Sequence, residues 1–474
     1  MPFDQIQCAD LQGWTGQQNA GWRTIIDSVS ALVVETSAPA LQASDLTKEE
    51  PSIAVLAFKD LSAARDQAYF CEGIAEEIVS VLARLPGLRV ASAAASGSFD
   101  NHSSAEIARI LDVSNFLEGS VRKAEGRARI SVRLVSTRTG FATWSETFER
   151  DLGDIFAVQD EIALAVVRAL GVTLADKDRT GMTLGGSEDA VAYDLYLKAR
   201  HLIRQELDDE RRVAADLLHE AIKRDPGFVI ALAALAEVQA QIARLRLPGW
   251  ENAQRDALAA ADEAIRLAPG LAEAHLAQGE VLRLKGEPGA AAAYKRALAL
   301  SPHDANIHYR FARFLVLEGD KAAAIRHYER AFELGPDDYR YIVLALQEYQ
   351  ALGDSAGEQL CLQRAMTAIE RHLELNPDDV RALGHGAGTL ALLGRPAESQ
   401  KAIDRALALR PEDYSNLATL ACAAVLKDDH DQALDLLERA VSTGRGDRQW
   451  VLADNDLAPL HGNPRFETII RRMK

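Results

Sequence analysis

ANIHYRFARFLVLEGDKAAAIRHYERAFELGP, running from Ala305 to Pro336, decides how the second half of the chain is read. With Ala305 as position 1, Ala312, Ala324 and Ala331 stand at positions 8, 20 and 27, Tyr328 at 24 and Pro336 at 32. Apolar residues recur at helical spacing on both sides of Gly319-Asp320, which reads as two helices around a tight turn. Alanines at the facing positions let the two helices approach closely, and the tyrosine fills the space toward the next pair. Proline lacks an N–H and pushes the residue before it out of the helical region, so it closes the unit. The same punctuation recurs at Pro226, Pro269, Pro302, Pro336, Pro377 and Pro411, with gaps of 43, 33, 34, 41 and 34 residues.

Neighbouring units keep the small-residue positions. Gly279, Tyr294 and Ala297 precede Pro302; Ala387, Ile403 and Ala406 precede Pro411; Ala421, Ala433, Leu437 and Ala440 follow it. The apolar run Leu417–Leu426 is the inner helix of one such unit. Upstream, Ala190–Arg224 supplies the first pair, with Ala214 and Ala221 at the small positions. A period near 34 residues closed by proline resembles the tetratricopeptide repeat, a helix-turn-helix that stacks into a superhelix. The resemblance implies an α-solenoid of about seven helix pairs over residues 187–449, with extra residues near Leu247–Asn252 and Ser355–Gln359. Residues 450–474 read as a C-terminal capping segment, because a terminal repeat needs a polar cover. Such stacks offer a long concave surface and usually no catalytic pocket, so the expected function is binding.

The chain has 474 residues and a formal charge of −17, with no dense Lys/Arg block, which argues against a nucleic-acid partner. Cys8, Cys71, Cys361 and Cys422 lie far apart, form no metal-binding spacing, and read as buried small hydrophobes in a reducing compartment. No apolar run approaches the length of a membrane span and no basic-then-apolar leader opens the chain. The expectation is a cytoplasmic protein without a membrane partner.

Residues 51–175 have a different texture. Ser52–Phe58 is an apolar run of strand length, expected inside a sheet because it is apolar on both faces. Phe70–Leu85 has helical spacing, Leu88–Ala91 is strand-like, and Ser103–Leu111 is a helix with Ser103 or Ser104 as its cap and Glu106 following. Asn115–Lys123, Arg127–Ser136 and Ala142–Glu149 alternate as antiparallel strands do, and Asp154–Leu170 is an amphipathic helix leading into the linker Gly171–Ser187. The order implies a mixed-sheet α/β domain. The strings SIAVLAFKDLSAARDQAYFCEGIAEEIVSVLARLPGLRV, ILDVSNFLEGSVRKAEGRARISVRLVSTRTGFATWSETFERDL and DIFAVQDEIA resemble the TolB-amino-terminal-like domain of bacterial signalling proteins. The likeness runs on into AYDLYLKAR at Ala192–Arg200. It implies an effector, then this domain, then repeats, and gives the domain no chemistry of its own.

Residues 1–50 form an N-terminal arm and linker, too short for a winged helix, cyclase or kinase. Phe3–Leu11, Gly13-Trp14-Thr15-Gly16 and a helix from Asn19 to Leu32 resemble the closing strand, loop and helix of a bacterial TIR domain. The alternative function this implies is the regulatory remainder of a TIR-type NAD-cleaving effector, or of a cyclase or transcription regulator, whose effector part lies upstream.

No catalytic, metal or cofactor constellation is read from the chain. Gly384-His385-Gly386-Ala387-Gly388 falls inside a helix, where its N–H groups cannot converge on a phosphate. Glu72, Glu76 and Glu77 read as a solvated helix face, Ser96-Gly97-Ser98 lacks a nucleophile frame, and His303 and His308 point apart. Candidate binding residues come from the concave positions of the repeats: Asn306, Tyr309, Arg313, Arg340, Gln347 and Arg381. Guanidinium groups pair bidentately with carboxylates, so the expected partner is a protein or peptide, acidic in character. A homo-oligomer is compatible with this surface. The chaperone-tail carboxylate clamp is not reproduced.

Overall fold

The computed structural model describes residues 51–473 except 63–65, 84, 86–87, 92–98, 100–102, 125–126, 152–154, 172–185, 188, 206–207, 337, 445 and 447. The TIR-like stretch, Cys8 and Ser96-Gly97-Ser98 lie outside the described residues.

Strand β1 (Ser52–Val55) pairs in parallel with β3 (Arg89–Ala91) on one side and β4 (Asn115–Ala124) on the other. It is therefore interior, as its apolar faces require. The chain leaves β4 after Leu56 and returns to it two residues long as β2 (Lys59–Asp60). β4, β5 (Arg127–Ser136) and β6 (Ala142–Asp151) continue the sheet antiparallel, giving the order β3-β1-β4-β5-β6. β6 is the outer edge and is rich in exposed charge, which keeps an open row of backbone groups from pairing with another chain.

Alternation along β1 divides the cores. Ile53 and Val55 face helices α1 (Ala68–Ala83) and α3 (Ile155–Ala169), while Ala54 and Leu56 face α2 (Ser104–Leu111). The expected cap of α2 is Ser103: it accepts from the Glu106 N–H, and Glu106 reaches back to the Ser103 N–H.

Seven antiparallel helix pairs follow: α4 (Ala190–Gln205) with α5 (Asp208–Arg224), α6 (Val229–Leu245) with α7 (Trp250–Leu267), and α8 (Ala272–Lys285) with α9 (Ala290–Leu300). Then come α10 (Ala305–Leu317) with α11 (Lys321–Leu334), α12 (Tyr339–Leu352) with α13 (Ser355–Leu375), α14 (Val380–Leu392) with α15 (Pro396–Leu409), and α16 (Tyr414–Leu426) with α17 (His430–Ser442). Ala312, Ala324, Tyr328 and Ala331 are fully buried, as the repeat register demands. The extra residues of the two long units lengthen helices more than loops: α7 has 18 residues and α13 has 21.

Glu72, Glu76 and Glu77 are not a solvated face. Helix α4 covers α1, and its Arg204 pairs with both Glu72 and Glu76 while the Tyr196 hydroxyl donates to Glu77 at 2.7 Å. Tyr69 and Lys123 meet Asp194 of α4 at 2.7 and 2.9 Å. Gly73 permits the close approach, since a Cβ there would lie 2.7 Å from Leu197. Sheet, α1, α3 and the first helix pairs consequently share one apolar core that runs from Ile53 to Ala277. Sequence periodicity marked α1 as amphipathic, but could not show what would cover its polar side.

Enlarging a facing small position should unseat the stack. Ala331→Leu is expected to cost about 1–3 kcal/mol by overpacking. Ala322→Leu, on the exposed side of the same helix, should stay within about 0.5 kcal/mol. Thermal denaturation followed by circular dichroism separates the two.

Candidate functional site

The first helix of each pair lines the inside of the superhelix, and its curvature brings distant pairs together. A cavity of about 220 Å³ lies there. Its wall includes Tyr309 and Arg313 of α10, Arg340 and Gln347 of α12, and Arg381 of α14. Five of the six groove residues therefore share one cavity. Asn306 does not reach it and lines a second cavity of about 390 Å³, next to α1 and α4, to which Tyr309 and Arg340 also contribute. Arg244, from the second pair, joins the first cavity, and no repeat register foretold that.

The arginines are not equivalent. Arg340 grips Asp338 through Nε at 2.8 Å and Nη2 at 2.5 Å. Burial alone would raise the Asp338 carboxyl; Arg340 outweighs it and holds the group below the usual carboxylate range. Arg340, expected to bind a partner's carboxylate, already holds one from its own chain. The carboxylate also caps α12, which fixes it where the guanidinium must follow.

Arg313 stacks its guanidinium 4.3 Å from the Trp450 ring centre and 5.9 Å from that of Tyr309. Its Nε is buried without a hydrogen-bond partner. Desolvation lowers the Arg381 pKa, and Asp413 offsets only part of this. Burial, followed by Arg381, pushes His385 down to about 4, so that its imidazole is neutral at ordinary pH. Further along the inner face, Arg310 spans Glu237 at 2.9 Å and Glu280 at 3.9 Å, and Arg283 meets Glu280 at 3.3 Å. Burial would raise Glu280, yet these arginines together with Arg313 bring it down to about 2. The inner face is self-neutralised near the third pair.

The glycine-rich run Gly384–Gly388 does sit inside a helix, and it also lines the cavity: a Cβ at Gly384 would meet Thr419 at 2.9 Å. Its small residues let α14 and α16 close together beneath Arg381.

The C-terminal segment, read as a cap, shares one apolar cluster with α16 and α17 through Val451, Leu457, Leu460, Phe466, Ile469 and Ile470. Helix α19 (Pro464–Arg472) lies against α17. Helix α18 (Arg448–Ala453) and the 3₁₀ turn Asn455–Leu460 cross the inside, against α10, α12 and α16. Trp450, Asp454 and Asp456 thereby form a wall of the cavity. Cys422, expected to be a buried hydrophobe, is half-buried and donates to Asp454 at 3.8 Å. The apolar Val451, Leu457 and Leu460, all buried, were the sequence signal: a polar cover has no use for them.

Residues 255–305 and 288–347 match models of the tetratricopeptide repeat, and the chain carries these repeats. Over 189 residues, 40% of this chain, it is 37% identical to a protein of Rhizobium meliloti (strain 1021) named "Putative adenylate cyclase 3". The chain spans about a third (32%) of the length of that curated relative. Among solved structures, a monomeric IFIT1 mutant with Gppp-AAAA aligns at a TM-score of 0.43 and 12% identity, over 65% of this chain and 82% of that one. YrrB, described as a tetratricopeptide-repeat protein with an unusual peptide-binding site, aligns at 0.28 and 20% identity, over 43% and 97%.

Replacing Arg340 by Ala strands the Asp338 carboxylate in a buried position. The expected loss is about 2–3 kcal/mol, below the range for fully buried pairs because the arginine is one-third exposed. Urea denaturation at pH 7 measures it, and Asp338→Asn in the same chain should recover a substantial part.

Proposed function

We propose that this protein is a non-enzymatic binding scaffold whose concave arginine cavity takes an acidic group of a protein or peptide partner. One observation carries the reading: Arg313, Arg340 and Arg381 converge on one cavity, and the Nε of Arg313 is buried there without an acceptor. A buried donor left unmade costs free energy that an incoming carboxylate would recover. Tetratricopeptide repeats serve protein–protein contacts generally, which agrees with this use of the inner face.

Residues 51–175 are, on this reading, the TolB-amino-terminal-like domain that their sequence resembles, and the mixed sheet with helices on both faces supports it. A bacterial signalling role in the cytoplasm belongs to the same proposal. Its support is the 37% identity with part of a protein named as a cyclase, where this chain would correspond to a regulatory portion. No helix of the described residues is long and apolar enough to cross a membrane.

A fluorescein-labelled peptide of eight Asp and Glu residues, titrated by anisotropy, tests the site. Arg381→Ala and Arg313→Ala should each weaken it roughly tenfold, in keeping with about 1.5–3 kcal/mol for a charged hydrogen bond. Arg266→Ala, on the exposed outer side, should leave affinity unchanged. Equal affinity for all three variants would overturn the reading.

A further inference from the structure

A chain that threads its own C-terminal segment through the inside of its superhelix has already filled part of its binding face. The cavity that remains, about 220 Å³, is smaller than the roughly 300–1,000 Å³ of ordinary small-molecule sites. No peptide strand can lie along Arg313 and Arg381 while Trp450, Val451 and Asp454 form the opposite wall. What fills the groove has a definite chemistry: an aromatic ring under a guanidinium, then an acidic Asp-Asn-Asp turn, then two leucines.

The anchors come from four helices. Arg313 of α10 holds Trp450 at 4.3 Å. Lys321 of α11 donates to Asn455 Oδ1 at 2.7 Å, and Asn455 donates to Glu348 of α12 at 3.3 Å. Gln347 of α12 donates to Asp456, and Cys422 of α16 donates to Asp454. Val451, Leu457 and Leu460 add apolar burial.

We propose that residues 448–460 are a resident lid on the arginine cavity, and that a partner peptide bearing an aromatic residue followed by paired acidic residues gains the site by displacing it. This rests on the cavity being the binding site, but the lid's own motion is measurable with no partner present.

The lid has a built-in release. Asp454 and Asp456 sit together beside Glu348, which Lys321 approaches at 4.0 Å, and Arg313 and Arg381 line the same cavity. The groups facing them are Glu348 and Gln347 from α12, Cys422 from α16, and Lys321 and Tyr328 from α11. Burial, and for Asp456 the neighbouring Asp454, raise these carboxyls to about 6 and about 8. A carboxyl whose pKa is higher docked than free makes the docked state bind more protons, so docking is firmest below about pH 4. The loss begins near the free carboxyl's pKa of about 4, continues as the pH rises, and levels off above about 8, so that Asp456 carries the part lost between pH 6 and pH 8. Ionisation would place two further anions beside Glu348, with Lys321 against that carboxylate and the arginines of the same cavity as the other cations.

Hydrogen exchange of the full chain tests the lid. Protection factors of 448–460, corrected for the intrinsic pH dependence of exchange, should fall at least tenfold between pH 6 and pH 9. Those of α14 and α16 should hold. In Asp456→Asn the fall should be largely abolished. Unchanged protection in the parent, or an equal fall in Asp456→Asn, overturns the proton release.

Displacement is tested with Trp450→Ala/Asp456→Lys, which should expose 448–460 to exchange at pH 6.5. A labelled synthetic peptide spanning 448–460 should bind this variant at least tenfold more tightly than it binds the parent. Equal binding to both, with the segment exposed in the variant, overturns the lid. Failure of the acidic peptide with every protein, while protection still falls with pH, would remove the binding reading and leave the lid's release intact. Should the double variant not fold, the parent at pH 6 and pH 9 still decides the release.

Discussion

Everything in this structure hangs on how near two helices of a pair can come. Alanine or glycine at the facing positions sets that distance, and buried tyrosines such as Tyr294 and Tyr328 set the spacing to the next pair. Helices that approach so closely cannot lie parallel for long; ridges seat in grooves at an angle, and seven repeats of the angle make a curve. Curvature brings Arg244 of the second pair into the same cavity as Cys422 of the seventh. Neither could be a neighbour of the other in a straight stack.

The inner face then has an electrostatic problem, because it gathers charged side chains into a space with little water. Two solutions appear side by side. Around Glu280 three arginines compensate a buried carboxylate so fully that its pKa falls to about 2. Around Asp454 and Asp456 burial goes uncompensated, and both carboxyls are pushed up, Asp456 further by its neighbour Asp454. Arg313 lies between the two regimes, stacked on aromatic rings rather than paired with an acid. Arginines on one wall and carboxyls of raised pKa on another give the cavity its chemical character.

The α/β domain is tied to the solenoid by the same balance of small residue and charge pair. Gly73 lets α4 lie against α1, and Arg204, Tyr196 and Asp194 then satisfy the acids and the tyrosine of the covered face. Breaking a buried pair by removing one partner leaves the other uncompensated, so the two parts are coupled through their interface rather than hinged on it. A strain applied at one end has a packed route to the other, through a core that is continuous from Ile53 to Ala277.

Local rules were enough for the sequence to determine the elements: proline spacing and small-residue register gave the helix pairs, alternation gave β4 to β6, and a two-faced apolar run placed β1 inside the sheet. These are properties of neighbours along the chain, so one sequence carries them. The inner positions of Tyr309, Arg313, Arg340, Gln347 and Arg381 were legible for the same reason, since each follows from its place in a repeat. What only the tertiary structure decided is which charges meet. Arg340 belongs to Asp338, Glu76 belongs to Arg204, and Asn306 turns to a different cavity, because pairing depends on distances across the superhelix. The fate of residues 448–460 was hidden likewise. Their acidic turn resembles a polar cover, and the curve of the stack lets it reach the inner face as well as the last pair, leaving Leu457 and Leu460 buried and Trp450 half-buried.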